Sequence, residues 1–415
     1  MTSQSQTALD QFEYPSHEVV TCPYPFYSAL REESPVHRLP SGDYLVSRWD
    51  DLVHVAKHPE LFSNAIGHVN PGFDEATAAR AAEEGSTLTP WALPFTDPPD
   101  HTNKRSLLLP LFMPEPLRSY EPTIRALTDE LIDEFPAGGA VEFRRAFADH
   151  LPPRVMLTLF GVPREDEPMV RSWMQTSQGQ GFRLASDEQK ATQQKAMAEA
   201  HIYFERMLRD RMEHPREDML TDIVRRKLDR DGQLDLYYLV GEVTTIYSAA
   251  YHNTVYMLAS TMELLLDNPD QMQRVLDDPA LIRGMIDESL RLQSPVQWLQ
   301  RVVTEDTELG GVQLPKGSVC LVLWGSGNRD DERFPEPERF QVDRKNALRD
   351  HLAFGFGIHK CLGARLARLE GQIAFEQLLA RLRGIELDPA HGPVEHGYDV
   401  NHRVPLEVHI TYELA

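Results

Sequence analysis

The stretch from Leu234 to Leu266 restricts the fold of this chain more than any other feature. It is long for a single helix, largely apolar, and contains no proline. Asp235 stands where an N-cap belongs, and Asn268-Pro269 stops it. A helix of this length spans roughly 50 Å at 1.5 Å per residue, more than the diameter of a small domain. A helix that long and that apolar is predicted to run through a core. Helical spacing of apolar residues predicts further helices over Glu121–Glu134, Gln193–Glu213, Arg216–Arg230 and Pro279–Leu292, and a last one from about Cys361 to Leu382. Trp49 to Ala56 reads as a short helix. Strand-like alternation is confined to Tyr44-Leu-Val-Ser, to Val302–Leu323 with turns at Gly310-Gly311 and Pro315-Lys316-Gly317, and to Pro405–Thr411. The fold class that follows is mainly α with small β-sheets (α+β). The longest irregular stretch, about Ser63 to Pro99, holds an Ala/Glu-rich patch, Glu75 to Glu84, that could form a short helix.

Charge excludes some functions. Lysine and arginine number 42 against 64 aspartates and glutamates, a net charge of −22. Nucleic-acid binding needs basic patches that displace counterions, and docking on an anionic membrane needs the same sign; neither is expected. No uncharged apolar run is long enough to cross a bilayer. The N-terminus lacks the basic start and apolar stretch of a signal peptide. Cys22, Cys320 and Cys361 are too few and too scattered for a disulfide framework, and no CxxC pair suggests zinc or iron–sulfur ligation. The expected location is the cytoplasm.

The residues that carry chemistry cluster in Phe354-Gly-Phe-Gly-Ile-His-Lys-Cys-Leu-Gly363. Gly355 and Gly357 let the backbone turn tightly and approach a flat ligand. Cys361 comes just before the helix-forming run Ala364-Arg-Leu-Ala-Arg-Leu-Glu, where exposed amides and the helix dipole favour a thiolate. His359, two residues earlier, can hydrogen-bond an anionic group.

This loop resembles the haem-binding signature of the cytochrome P450 family, Phe-x-x-Gly-x-His/Arg-x-Cys-x-Gly, at every fixed position: Phe354, Gly357, His359, Cys361 and Gly363. The resemblance implies the triangular-prism P450 fold, with a long central helix over haem b (iron protoporphyrin IX) and Cys361 as the axial thiolate and metal ligand. It implies a single domain over residues 1–415, with a β-rich lobe at about 35–65 and 300–325 plus the C-terminal strands, and a helical lobe at about 100–290 and 361–383. Phe354 would pack near the sulfur and His359 would hold a propionate. Asp97-Pro-Pro-Asp-His-Thr-Asn-Lys-Arg is similar to the family's Asp-Pro-Pro-x-His-x-x-x-Arg and assigns His101 and Arg105 to a propionate. Arg301, after Ser294-Pro-Val, would hold the other. Glu288 and Arg291 resemble the family's Glu-x-x-Arg pair, completed by Arg339 from the Pro-rich segment Phe334–Phe340. These three are structural, and loss of one is expected to be severe. Asn328-Arg-Asp matches a further family element.

One segment departs from the pattern. Relatives carry Ala/Gly-Gly-x-Asp/Glu-Thr-Thr/Ser on the central helix, where the acid and first threonine relay protons. Here the aligned residues are Ala249-Ala-Tyr-His-Asn-Thr254. Ala250 replaces the glycine of the haem-side groove, His252 the acid and Asn253 the threonine; Thr254 keeps the second hydroxyl. A one-residue slide would instead place Thr254 in the relay and Asn253 as the acid surrogate. Histidine can carry protons near neutral pH; an asparagine amide can only donate or hold a water. His252 could feed a water chain that Asn253 positions, the substrate could supply its own acid or hydroxyl, or peroxide could bring the protons. His252 and Asn253 could equally satisfy each other.

The resemblance also places a pocket between the 63–95 loop, the turn near residues 181–184, the central helix and the strand after Ser294-Pro295. Its lining candidates are Phe182, Tyr247, Ala250, Val296, Trp298 and Leu299, with Tyr398 and Val400 from the late turn. They are apolar or aromatic, which suits a hydrophobic small-molecule substrate. The implied partners are a ferredoxin and a NAD(P)H-dependent ferredoxin reductase, with Lys104, Arg105, Lys360, Arg365 and Arg368 as a possible basic docking patch. The implied activity is hydroxylation or oxidative dealkylation with O2. A peroxide-driven or non-hydroxylating (coupling or rearranging) enzyme is the alternative motivated by His252 and Asn253. A haem-thiolate ligand sensor is the alternative outside enzymes.

Overall fold

The computed structural model of the chain describes residues 8–65, 92–177, 186–399 and 401–415, apart from the side chains of residues 177, 398 and 399. The predicted helical patch at 75–84 and the residues Phe182 and Val400 lie outside these.

The central helix is Leu236–Asp267. The Asp235 carboxylate accepts the Tyr238 amide at 3.1 Å. Asn268 ends the helix by donating Nδ2 to the Leu264 carbonyl at 2.8 Å, and Pro269 begins the next helix. The central helix packs against Leu151–Leu159, Asp187–Glu213, Ile282–Leu292 and Ala364–Arg381, and the largest core cluster surrounds it. Asp187–Glu213 starts six residues before its apolar periodicity because Ser186 and Gln189 form a capping box. The predicted helix at 216–230 begins instead at Met219, since Asp218 caps it, and ends at Asp231 before Gly232 at φ +71. The last helix is Ala364–Arg381, three residues later than its sequence pattern suggests, because Gly357–His359 forms a separate 3-10 turn.

Strands gather at one side. A five-stranded sheet has the order Val36–Arg38, Tyr44–Val46, Val319–Val322, Leu299–Val303, Phe62–Ser63. Only the Tyr44–Val46 and Val319–Val322 pair is parallel. Trp49–Lys57 buries Leu52, Val53, Val55 and Ala56 in the same cluster as the sheet. Gly310 and Gly311, at φ +56 and +79, turn the hairpin Thr307–Leu309 to Val312–Leu314. The strand expected over 405–411 divides into His402–Pro405, which pairs with His396–Asp399, and His409–Leu414, which joins a second sheet. The 396–405 hairpin is stitched to the segment after Ser294: the Gln297 amide donates to the Asn401 carbonyl at 2.7 Å, and His402 bridges Val296. Among the described residues no helix is long and apolar enough to cross a membrane.

Candidate functional site

The cysteine loop is held from several sides. The Cys361 amide donates to the Phe354 carbonyl at 2.8 Å, which closes the loop on itself. Gly357 has φ +69, and a Cβ there would stand 2.1 Å from the Ala56 carbonyl oxygen, so only glycine fits between the loop and the helix Trp49–Lys57. Gly363 caps the last helix at an ordinary φ of −82. Arg368 lies 4.5 Å over the Phe354 ring and donates Nε to Asp287 at 2.7 Å. Cys361 keeps accessible surface although protein crowds around it, as a side chain lining an internal cleft does. Burial pushes its thiol up; the amides of Gly363 and Ala364, with Arg105 and Arg368, pull the other way without prevailing. A cation at the sulfur would reverse that balance, since a metal-bound thiol is deprotonated outright.

Beside the loop, four basic side chains converge. The His101 and His359 rings lie 4.2 Å apart, and the Nε2 of each is buried without a protein partner among the described residues. Burial, then Arg301, His101 and Arg105, push His359 down to about 3. Burial, then Arg105, also lowers His101. Arg301 is 4% exposed, and its guanidinium makes one hydrogen bond among the described residues, to the Gln300 carbonyl at 2.7 Å. Burial lowers it to about 10 despite Asp97. Arg105 reaches the Lys360 carbonyl at 2.8 Å. Buried donors left unpaired are costly, and this set would be satisfied by a ligand that brings carboxylates to it. A haem with two propionates beside a cysteine ligand fits this donor set.

The Glu288–Arg291 pair is fully buried, with Nε and Nη2 of Arg291 at 2.7 and 2.9 Å from the carboxylate. Its third member is Arg344, whose Nε lies 2.8 Å from Glu288 Oε1. This corrects the expectation for Arg339. The Arg339 side chain is exposed and pairs with Glu336 at 3.4 Å, and only its carbonyl joins the network, accepting from Arg291 and Arg344. The chain turns back between the two positions, and Arg344 is the one brought inside. Asn328 extends the network: its carbonyl accepts Arg291 Nη1 at 2.8 Å, its Nδ2 donates to Ser294 Oγ at 2.7 Å, and its Oδ1 accepts the Leu352 amide just before the cysteine loop.

On the central helix, Ala249 is exposed and Thr245, Ile246, Ala250 and Asn253 are half-buried, at spacings that share one face, which the packing leaves partly open. His252 lies off it. Its ring sits 4.2 Å from Tyr251 and 6.0 Å from Tyr256, and its Nδ1 is buried without a partner. Burial, then His402 and Arg144, lower His252 to about 3, so it is neutral at physiological pH. It therefore lacks the ionisable state near neutrality that a histidine relay was expected to use. His252 and Asn253 do not satisfy each other: Asn253 donates Nδ2 to the Ala249 carbonyl at 3.0 Å, and its Oδ1 meets His402 Nε2 at 3.1 Å. Thr254 is buried.

Several pocket expectations need correction. Tyr247 is fully buried and packs on Phe204 and Tyr251, off the partly open face of the central helix. Trp298 packs on the N-terminal cluster of Val19, Phe26 and Tyr27 and lines a small surface cavity with Tyr14, Gln297, Asn401 and His402. Ala250 and Val296 are half-buried and Leu299 is exposed. Of the expected basic patch, Lys104 is buried with Nζ 3.0 Å from Glu242, and Arg368 is tied to Asp287, which leaves Arg105, Lys360 and Arg365 on that face. Arg344 and His402 were not anticipated; neither belongs to a local spacing that marks it.

Comparison with known proteins gives one consistent answer. The family model for cytochrome P450 matches residues 164–393. Cytochrome P450 109 of Bacillus spizizenii is 33% identical over 88% of this chain and 85% of its own length. The cytochrome P450 monooxygenase PikC of Streptomyces venezuelae is 34% identical over 89% of this chain and 86% of its own. The structure of cytochrome P450 CYP109Q5 from Chondromyces apiculatus superposes with a TM-score of 0.84 at 29% identity, covering 96% of this chain and 97% of that one.

Proposed function

Because this chain belongs to the cytochrome P450 family of haem-thiolate monooxygenases, we propose that it takes electrons from a separate ferredoxin and ferredoxin reductase in the cytoplasm and hydroxylates or oxidatively dealkylates a hydrophobic small molecule. The observation that carries the site assignment is the convergence of two orphaned imidazoles and a buried, under-bonded guanidinium beside the cysteine loop. When bound, haem supplies dioxygen binding and O–O cleavage, favoured by electron donation from a thiolate.

The chain's own residues do the rest. Cys361 provides the thiolate. His101 and His359 offer Nε2 to propionate oxygens, and Arg301 and Arg105 balance the charge. A propionate would raise both histidines from their lowered state, since a nearby anion favours the cation. The Glu288–Arg291–Arg344 network and Asn328 fix the segments that enter the loop. The cleft wall of Thr245, Ile246, Ala249 and Ala250 supplies an apolar surface, and Asn253 adds one polar group to it. Arg105, Lys360 and Arg365 offer positive charge to an acidic ferredoxin despite the negative net charge.

A second reading is favoured by one observation: neither His252, neutral and off the cleft, nor Asn253, bonded at both ends, can pass protons by ionising near pH 7. Peroxide-driven turnover needs no such relay. The test is turnover of one hydrophobic substrate under two supplies. Product from NAD(P)H, reductase, ferredoxin and O2 that exceeds the peroxide-supported yield supports the monooxygenase reading. A yield from peroxide alone that equals or exceeds it favours the second. NAD(P)H left unconsumed with competent partners and bound ligand would point to a sensor.

A further inference from the structure

The Asn253 amide stands between two groups, and they determine its orientation. The Ala249 carbonyl, 3.0 Å away, can only accept. The amide end facing it must be Nδ2, because a carbonyl oxygen there would place two acceptors in contact. Oδ1 is thereby turned to His402, 3.1 Å away, and His402 Nε2 must carry a proton. Neutral or cationic, His402 is then a donor to Asn253. His402 is itself held: it bridges Val296, meets the Tyr256 ring edge-on at 5.8 Å and heads the strand His402–Pro405. The imidazole is thus fixed by the late hairpin, and the amide by the imidazole and the helix.

One hydrogen of Nδ2 is committed to Ala249. Among the described residues no acceptor takes the other, and Asn253 lies on the partly open face of the central helix. An asparagine free to turn about its last torsion could present oxygen or nitrogen to the cleft. With Oδ1 held by His402 it can present only N–H. We infer that His402 is a positioning residue that locks Asn253 as a fixed hydrogen-bond donor over the haem site, in place of a hydroxyl that could either donate or accept. The inference rests on the haem-thiolate reading above but not on any particular reaction.

The test is the carbon monoxide stretch of the ferrous CO complex, which needs neither substrate nor turnover. A donor to the bound ligand's oxygen lowers that frequency. The wild-type band is expected to shift in D2O, because the donor hydrogen exchanges. Asn253→Ala is expected to raise the frequency. His402→Phe, which keeps ring bulk but no N–H, should raise it in the same direction, and the double variant should go no further than Asn253→Ala alone. His402→Gln restores a side-chain N–H and should return the band toward wild type. A band unmoved by D2O and by Asn253→Ala overturns the donor. A band moved by Asn253→Ala but not by His402→Phe overturns the role of His402. If His402→Phe does not fold, His402→Ala takes its place, and a band unmoved by it overturns the role of His402. A protein that loads no haem through a thiolate shows no 450 nm CO band, and that outcome removes the underlying reading rather than the pairing alone.

Discussion

Arg344 Nε lies 2.8 Å from Glu288 Oε1, the same oxygen that accepts Arg291 Nη2 at 2.9 Å. One fully buried carboxylate therefore pairs with two guanidinium groups, whose other nitrogens donate to the carbonyls of Asn328, Pro335, Glu336, Pro337 and Arg339. Removing one partner of a buried ion pair costs roughly 3–5 kcal/mol. Glu288→Ala and Arg344→Ala are expected to fall in that range, with loss of haem-loaded protein. Arg339→Ala should cost less than about 1 kcal/mol, as exposed pairs do. Denaturant midpoints of the three variants check this; equal losses at 339 and 344 would contradict it.

His101 and His359 each offer an unpaired Nε2 to the same site. A hydrogen bond to a charged group is worth about 1.5–3 kcal/mol, so His359→Ala should release haem roughly ten to a hundred times faster, with His101→Ala similar. Arg105→Ala should do less, because that guanidinium is partly spent on the Lys360 carbonyl. Haem transfer to excess apomyoglobin measures all three rates.

The depressed pKa of His252 carries a definite sign. Its value falls from 6.5 to about 3 on folding, so the unfolded chain binds the proton first. The neutral ring's contribution to stability is present above pH 6.5 and is lost as pH falls from there toward 3. His252→Gln should flatten that acid limb in urea titrations repeated between pH 7 and pH 4. Above pH 6.5 the same substitution should leave the pH profile of turnover unchanged, since His252 has no charge to lose there.

Glu370 behaves in the opposite sense. It lies in the last helix, 1% exposed, with Oε2 unpartnered, and burial alone holds its carboxyl well above the usual 4.5. A buried carboxyl without a partner holds its proton to higher pH than an exposed one. It contributes most below pH 4.5, and stability declines as pH rises from there toward the folded value. Glu370→Gln, which matches the neutral acid in shape, should remove that decline, so its melting temperature should gain on wild type as pH rises from 5 to 8. A constant difference between the two would contradict the assignment.

Features set by local spacing were readable from the chain. The central helix is within two residues of its expected bounds because Asp235 and Asn268-Pro269 mark both ends. The Gly357, His359 and Cys361 loop and the Glu288–Arg291 pair depend on residues two to four apart. Direction on an apolar helix was not readable. Tyr247 sits on a helix buried over most of its circumference, so nothing in the sequence says which side opens to the cleft. Arg339 lies in the Pro-rich segment and Arg344 just after it, and only the returning chain decides which enters the core. His402 meets Asn253 across 149 positions, a contact that no local pattern announces.

The central claim is that Cys361 binds haem iron as a thiolate. Its most direct test is the CO difference spectrum of the reduced protein and of Cys361→Ser. The wild type should absorb near 450 nm, the position of a thiolate-ligated CO complex, and Cys361→Ser should lose that band while Cys22→Ser and Cys320→Ser keep it. A 450 nm band that survives Cys361→Ser, or a wild type that binds haem without showing it, would contradict the account.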